Sequence, residues 1–525
     1  MLHTHLCVMG DPCWKMNIHN KMKQMKRGHA QSNQNGIGTL ESGSSTRIFD
    51  KLQATIQNII NARANASSDI AVCQFSNDYY KLDQSNKHRI LTLLATKYGV
   101  NRTNIQNLSQ QYSDLCKAEK ETKEEKNTPA LYRTEHSLRS ALTPLSVQLF
   151  KQINCQPGGL KFLVDMRADL RMLIEDQNLP AFRYLDTCLK EILETALSPA
   201  LLELHLFTWE DPAAILEKLV IFEAVHPISN LYDLKRRLGS ERRCFGYFHP
   251  SLPGEPLIFI EVALTRSIVG CIQDVLRNES PTPEDEATTA LFYSISSTQP
   301  GLTGISLGKL LIKRVVGVLQ QEMPKIMTFA TLSPIPGFMS WLLPRLASES
   351  QSFSSSRMQQ DSERKSLFKE NLLHAQEARS LLESCRTSFL MGTCRTAENQ
   401  TAENIMWNIL TFPRKELIRS ESLQGVIKPI LLRLCARYLL LEKRRGKALD
   451  VVTNFHVQNG ALIERLNWMG DFSERGLNQS AGITVNYCYR LDKIEENIGN
   501  YLEKGIISSS SMLKDLLEPK SMSPG

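Results

Sequence analysis

The hydrophobic repeat changes period once along this chain, and that change restricts what the chain can fold into. From about residue 46 to 205, apolar residues recur every three or four positions. Leu52, Ile56, Ile59 and Ile60 share one face, as do Ile105, Leu108, Tyr112 and Leu115, and again Leu138, Leu142, Leu145 and Leu149. This is the spacing of amphipathic helices, and no strand-like alternation interrupts it. Further on come short runs rich in β-branched and aromatic residues: Leu257 to Ala263, Ala290 to Ser297, Met327 to Leu332 and Ile483 to Leu491. These read as strands. Helical patterns separate them. One is expected to be capped by Asp211 with Pro212 at its first position, followed by Ile215, Leu216, Leu219 and Val220. Another carries Leu307, Leu310, Leu311, Val315, Val318 and Leu319 and is stopped by Pro324.

The expected fold is therefore α+β: an all-α domain over residues 46–200, then an α/β domain over 201–512. Residues 1–45 and 513–525 read as tails. A flexible insertion is expected at about 347–372, because 347–361 hold six serines and three glutamines. Just beyond it Thr396-Ala-Glu-Asn repeats as Thr401-Ala-Glu-Asn, a duplication with no functional reading.

Composition closes off several function classes. With 42% hydrophobic and 22% charged residues the chain is of globular type. The net charge of +7 is spread along it and makes no nucleic-acid-binding stripe. The best apolar runs, Leu257 to Leu264 and Ile430 to Leu441, are short and interrupted by Glu261 or by Arg433 and Arg437, so no membrane span is expected. The twelve cysteines form no C-x-x-C pair. Cys188 and Cys435 sit in apolar helical patterns as packing residues, which points to a reducing compartment. No His, Cys or carboxylate cluster has metal-ligand spacing. The first forty residues hold five Lys or Arg and one acid, Asp11, a faint likeness to an organelle presequence without its amphipathic stripe.

Four constellations could carry chemistry. Gln299 to Gly308 is a glycine-rich turn between a strand and a long helix. Free N–H groups at such a helix start attract phosphate, and ordinary turn chemistry uses the same residues. Within it, Gly304-Ile-Ser306-Leu-Gly308 matches the hydrolase nucleophile elbow, with Asp450 and His456 following in order. An elbow serine belongs directly at a strand end, however, and six residues separate Ser297 from Gly304. Ser333 lies in Thr331-Leu-Ser-Pro-Ile-Pro-Gly-Phe338, held stiffly by proline at a strand end, which suits either a ligand site or a plain rigid turn. His456, in Asn454-Phe-His-Val-Gln-Asn459-Gly460, is expected on a tight turn or strand end and is the residue type suited to proton transfer near neutral pH. Glu442 to Lys447 is expected to end the helix that starts near Pro429, with Gly446 as its αL cap; holding a ligand's phosphates is the competing reading.

Several segments, taken in order, resemble the malonyl-CoA decarboxylase family. They are Gly159 to Leu170, Glu223-Ala-Val-His-Pro227, Pro253-Gly-Glu-Pro-Leu257, Phe292 to Gln299, Leu332 to Phe338 and Asn454 to Ala461, within about residues 130–500. The resemblance implies an N-terminal helical domain used in oligomer contacts, in a tetramer, and a catalytic domain similar to the GNAT acyltransferase fold. It implies malonyl-CoA as substrate, bound through Thr303, Gly304, Ile305, Ser306, Leu307, Gly308 and Lys309 with the diphosphate near the glycine turn. Ser333 and His456 are then the catalytic pair and Tyr489 belongs to the site. Ser306 stands where some members carry glutamate, and the chain ends in Ser-Pro-Gly525 without the Ser-Lys-Leu signal of some relatives, so mitochondrial matrix, peroxisome and cytoplasm all stay open. Loss of CO2 from a malonyl thioester leaves an enolate stabilised by the thioester itself, so no metal or organic cofactor is expected. The alternatives are a CoA-dependent acyltransferase, a serine hydrolase using Ser306, and a non-catalytic helical scaffold.

Overall fold

A computed structural model describes residues 42–61, 66–122, 128–277, 282–352, 372–387, 401–411 and 421–517. The first Thr-Ala-Glu-Asn copy, most of both tails and most of the serine-rich insertion lie outside these residues. The second copy is described: Thr401 Oγ1 accepts from Asn404 N at the start of helix Ala402–Thr411.

The first half is helical, as its periodicity dictates. Among the described residues, eight helices run from Ser42–Asn61 to Pro180–Ala196. Leu52, Ile56 and Ile59 are fully buried, and Asp83 caps helix Gln84–Thr96 by accepting from Asn86 N. The face expected to run from Leu138 to Leu149 is divided instead. Pro144 separates helices Thr128–Ala141 and Leu145–Asn154, leaving Leu142 and Leu145 exposed. A proline disfavours the helical conformation of the residue before it, and here the first helix has ended by Ala141.

The second half is built on a mixed sheet. Its order is β1 (Glu203–Phe207), β2 (Arg242–Phe248), β3 (Ile258–Thr265), β4 (Thr289–Ser297), β5 (Thr328–Thr331), β10 (Thr484–Cys488) and β6 (Ser333–Pro334), with β9 (Leu462–Asn467) also on β10; β7 (Lys443–Arg444) and β8 (Lys447–Ala448) pair separately. All four expected strands are present; β1, β2, β6 and β9 are additional to them in this sheet. Charged residues hid two of these, Arg242 and Arg243 in β2, and Glu464 and Arg465 in β9. Arg242 is nevertheless buried, with its guanidinium donating to Val275 O at 2.6 Å. The helix expected to start at Pro212 starts one residue later, at Ala213. Asp211 does not cap it: its carboxylate accepts from Thr208 N and meets His205 Nε2 at 2.8 Å. Leu513, placed in the C-terminal tail by composition, is fully buried in helix Ser511–Asp515. Among the described residues, no helix is long and apolar enough to cross a membrane.

One face of the sheet joins a continuous core with the helical half. Phe162, Leu163 and Leu170 share it with Tyr247, Ile260, Phe292, Phe329, Leu311 and Tyr487. The other face carries two smaller apolar clusters, one around Phe207, Phe222 and Phe259 and one around Val275, Leu291 and Tyr293. Glu261 is buried on that face, and burial pushes its carboxyl up to about 8 although Arg237 donates to it at 2.9 Å.

The parallel pair positions the site. β4 and β5 pair from Thr289–Thr328 to Phe292–Thr331, and Leu332 N donates to Phe292 O at 2.9 Å. A bulge in β4 opposite Glu261 and Val262 follows at once. Past that point β4 continues to Ser297 while the other strand passes into β6 and pairs with β10. The strands thus part at their C-terminal ends, where α/β sheets bind ligands.

Two glycines test the packing. A Cβ on Gly159 would lie 1.7 Å from Ile153 O, a backbone atom, whereas one on Gly317 meets open space within helix Leu307–Glu322. Gly159→Ala should destabilise the protein by about 1–3 kcal/mol through overpacking. Gly317→Ala should stabilise it by about 0.5–1 kcal/mol, the helical preference for alanine. Thermal unfolding of both variants beside the parent checks the pair of opposite shifts.

Candidate active site

Ser333 opens β6 opposite Val485 of β10, directly where the parallel pair divides. Its Oγ lies 2.9 Å from Thr331 Oγ1 and 3.3 Å from His456 Nε2. His456 is not on a turn or strand end. It sits in the last turn of the short helix Val451–Val457, capped by Asp450, whose carboxylate accepts from Val452 N and Thr453 N. The expected tight turn follows it. Gly460 has φ +87°, and a Cβ there would lie 2.7 Å from Ile494 O, so glycine is required on both counts.

The imidazole is enclosed by rings and hydroxyls. Its Nδ1 lies 2.8 Å from Tyr489 OH, and its plane stacks on Tyr487 at 4.4 Å and 25°. Tyr487 OH meets Thr453 Oγ1 at 2.7 Å, and that hydroxyl donates to Asp450 at 3.1 Å. Thr331 Oγ1 also accepts from Tyr487 N at 3.1 Å. Burial alone pushes His456 down to about 3, since no anion faces it, and burial pushes the Tyr489 hydroxyl up. The ring is therefore neutral near pH 7. One proton arrangement satisfies the line: Tyr489 donates to Nδ1, Nε2–H donates to Ser333, and Ser333 donates to Thr331.

The glycine turn is close by. Gly304 has φ +83°, and Leu307 begins the long helix with Ser306 at the cap position. A Cβ on Gly308 would lie 3.1 Å from the Phe455 ring, next to His456, so the turn abuts the histidine helix. Thr303 and Ile305 are half-buried, Leu307 is buried, and Gly304, Ser306 and Lys309 are exposed. The structure thus brings Ser333, His456 and Tyr489 into direct contact and sets the 303–309 turn beside them.

It does not assemble the hydrolase triad. His456 bonds to Ser333 rather than Ser306, and the Asp450 carboxylate is occupied by the helix start and by Tyr438 OH at 3.4 Å. Nor does Glu442 to Lys447 end a helix. The helix stops at Leu440, and Lys443–Arg444 pairs with Lys447–Ala448 in a hairpin whose turn residues Arg445 and Gly446 have positive φ. Among the described residues no metal-binding group of His, Cys, Asp or Glu occurs. Thr331, Thr453 and Tyr487 were missed from the sequence. Alternation along Val485, Tyr487 and Tyr489 is the signal that places both tyrosines on one face.

Two family models match the chain, the malonyl-CoA decarboxylase C-terminal domain over residues 200–524 and the N-terminal domain over 98–195. Mitochondrial malonyl-CoA decarboxylase of Anser anser anser is 37% identical over 434 residues, covering 82% of this chain and 79% of the goose protein. That of Mus musculus is 37% identical over 443 residues, covering 83% and 82%. The crystal structure of malonyl-CoA decarboxylase from Agrobacterium vitis superposes with a TM-score of 0.71 at 30% identity, over 89% of this chain and all of the other. The Rhodopseudomonas palustris structure gives 0.69 at 32%, over 89% and 99%. The chain belongs to the malonyl-CoA decarboxylase family.

The neutral histidine has a pH signature. Its folded value, about 3, lies below the ordinary 6.5, so between these the unfolded chain binds a proton that the folded one does not. Its contribution to stability is complete above about pH 6.5 and is lost as pH falls toward 3. Replacing His456 with Gln should flatten the stability–pH slope between pH 4 and 6 by up to one proton, roughly 1.4 kcal/mol per pH unit. Denaturant titrations at several pH values check this; equal slopes would mean that His456 is not buried neutral.

Proposed function

We propose that this chain converts malonyl-CoA to acetyl-CoA and CO2, with Ser333 and His456 as its catalytic pair. The observation that carries this reading is the Ser333 Oγ to His456 Nε2 contact of 3.3 Å, placed where β4 and β5 part and beside the glycine turn. The names of the relatives supply the substrate.

The chemistry needs the malonyl carboxylate held out of the thioester plane, the developing oxyanion stabilised, and C2 protonated. When the C–C bond breaks, its electron pair passes to C2 and the thioester oxygen, giving an enolate. Ser333 turns its single hydroxyl proton from Thr331 to the carboxylate. His456 is neutral in the free site for want of a counter-charge, and the bound carboxylate supplies one. That raises the imidazole pKa, so a proton is taken up from solvent on binding and given to C2 once CO2 has left. Tyr489 at Nδ1 holds the ring in place. The thioester is the electron sink, so the reaction runs without a metal or organic cofactor. The glycine turn takes the CoA diphosphate on its free N–H groups. The helical half supplies contacts between copies: Ile105, Leu108, Tyr112 and Leu115 are only half-buried, and Tyr132 and Leu142 are exposed.

Purified protein mixed with malonyl-CoA and no acyl acceptor should release CO2 and acetyl-CoA; a strict need for an acceptor would make it an acyltransferase. Dialysis against EDTA should leave the rate unchanged, and loss restored by a divalent ion would end the cofactor-free mechanism. His456→Ala should lower kcat by about 10²–10⁴-fold and Ser333→Ala by roughly 10²–10³-fold. The double variant should lose much less than the product, because the two act as one unit. A His456→Ala enzyme that binds CoA and turns over at the parent rate would overturn the assignment.

A further inference from the structure

Helix Gly159–Asp176 of the helical half runs directly under the base of the glycine turn. A Cβ on Gly301 would lie 1.9 Å from Val164 O, so only a glycine lets the two backbones approach this closely. Arg167 stands in that contact with its side chain 1% exposed. Its Nη1 donates to Gly301 O at 2.5 Å and to Thr303 O at 3.0 Å. Its Nε and Nη2 donate to the two carboxylate oxygens of Asp186, on helix Pro180–Ala196, at 2.8 and 3.3 Å. One planar guanidinium thus ties two helices of the first half to two carbonyls of the turn, those of Gly301 and Thr303, a geometry lysine cannot reproduce.

The tie has a directional effect. In a trans peptide the C=O and the following N–H point in opposite directions. Holding the Thr303 carbonyl on Arg167 therefore aims the Gly304 N–H away from the helical half, and no acceptor among the described residues takes that N–H. Gly304, with φ +83° and open space where a Cβ would stand, leaves this N–H accessible.

We propose that Arg167 is a positioning residue for the acyl-CoA substrate: from the helical half it orients the 301–304 backbone so that the turn presents the Gly304 N–H to the diphosphate. This rests on reading the turn as the diphosphate site. Arg167 touches neither substrate nor the reacting atoms, so its loss acts on binding and leaves the chemical step intact.

The test compares Arg167→Lys, Arg167→Met and Gly304→Val with Lys161→Ala as control, a half-buried position on the same helix whose ammonium pairs with Asp165 instead of the turn. Arg171, 3.8 Å from Asp186, still faces that carboxylate when Arg167 is replaced. CoA affinity is measured by calorimetry and malonyl-CoA turnover at steady state. Arg167→Lys and Arg167→Met should raise the Kd for CoA and the KM on the order of tenfold, the scale of a typical coupling between sites, with kcat kept. Combining Arg167→Lys with Gly304→Val should add little to Gly304→Val alone. If Gly304→Val weakens CoA while the folded Arg167 variants bind it as the parent does, Arg167 is structural only and the proposal falls. If Gly304→Val itself leaves CoA affinity unchanged, the diphosphate reading fails first and takes the proposal with it. Should Arg167→Met not fold, the double replacement Arg167→Met, Asp186→Leu removes both buried charges and is judged by the same two measurements.

Discussion

The hydrogen bond from Leu332 N to Phe292 O is the last between β4 and β5, and the site is arranged around the point where that ladder stops. Had the pair continued, Ser333 would sit inside a closed sheet with its neighbours on both sides. Instead β4 bulges opposite Glu261 and Val262, while the other strand, already on β10 through Ala330 and Cys488, stays on it through Ser333 and Pro334. Ser333 stays stiff because its backbone is still paired, and its hydroxyl meets His456 beside the divide. The glycine turn leaves from the end of β4 and the serine from the end of β5, so one geometric event serves both.

Burial sets the electrostatics at that divide. His456, Tyr487 and Tyr489 are all buried among neutral partners, so the site holds no charge of its own near neutral pH. An anionic ligand entering such a site is felt more strongly than in water, because little screening remains. The nearby Asp450 carboxylate, also buried and pushed up by burial, is spent on the helix start and on Thr453 and does not reach the imidazole. The arrangement keeps an acid in the vicinity for structure while leaving the histidine uncompensated.

Much of this was legible in the sequence, and the rest failed for identifiable reasons. Apolar runs such as Leu257 to Ala263 announce strands because both faces of the sheet are covered. β2 stayed hidden because Arg242 is buried by pairing with carbonyls, which no hydrophobicity pattern records. Ser333, His456 and Tyr489 were readable through the family resemblance, and the structure places them in contact. His456 was expected on a turn because of Asn459-Gly460, but that pair closes the helix that carries the histidine. Thr331 and Tyr487 needed the pairing of β5 with β10, a relation between residues more than 150 positions apart that local patterns do not contain. Arg167 is a similar case: within its own helix it is one polar residue among several, and its partners at Gly301 and Thr303 are remote.

The unbroken core between the helical half and the sheet has a consequence for how such a chain can change over generations. Phe162 and Leu170 pack into the same interior as Phe292 and Tyr487, and no layer of solvent separates the two halves. Neither half can be traded for a foreign module without exposing the other's apolar face to water. A substitution in one half is then felt as altered packing in the other, so the two must drift together. Experiments that aim to shrink the enzyme to its chemical centre will meet the same obligation: the helices are part of the interior they appear merely to adjoin.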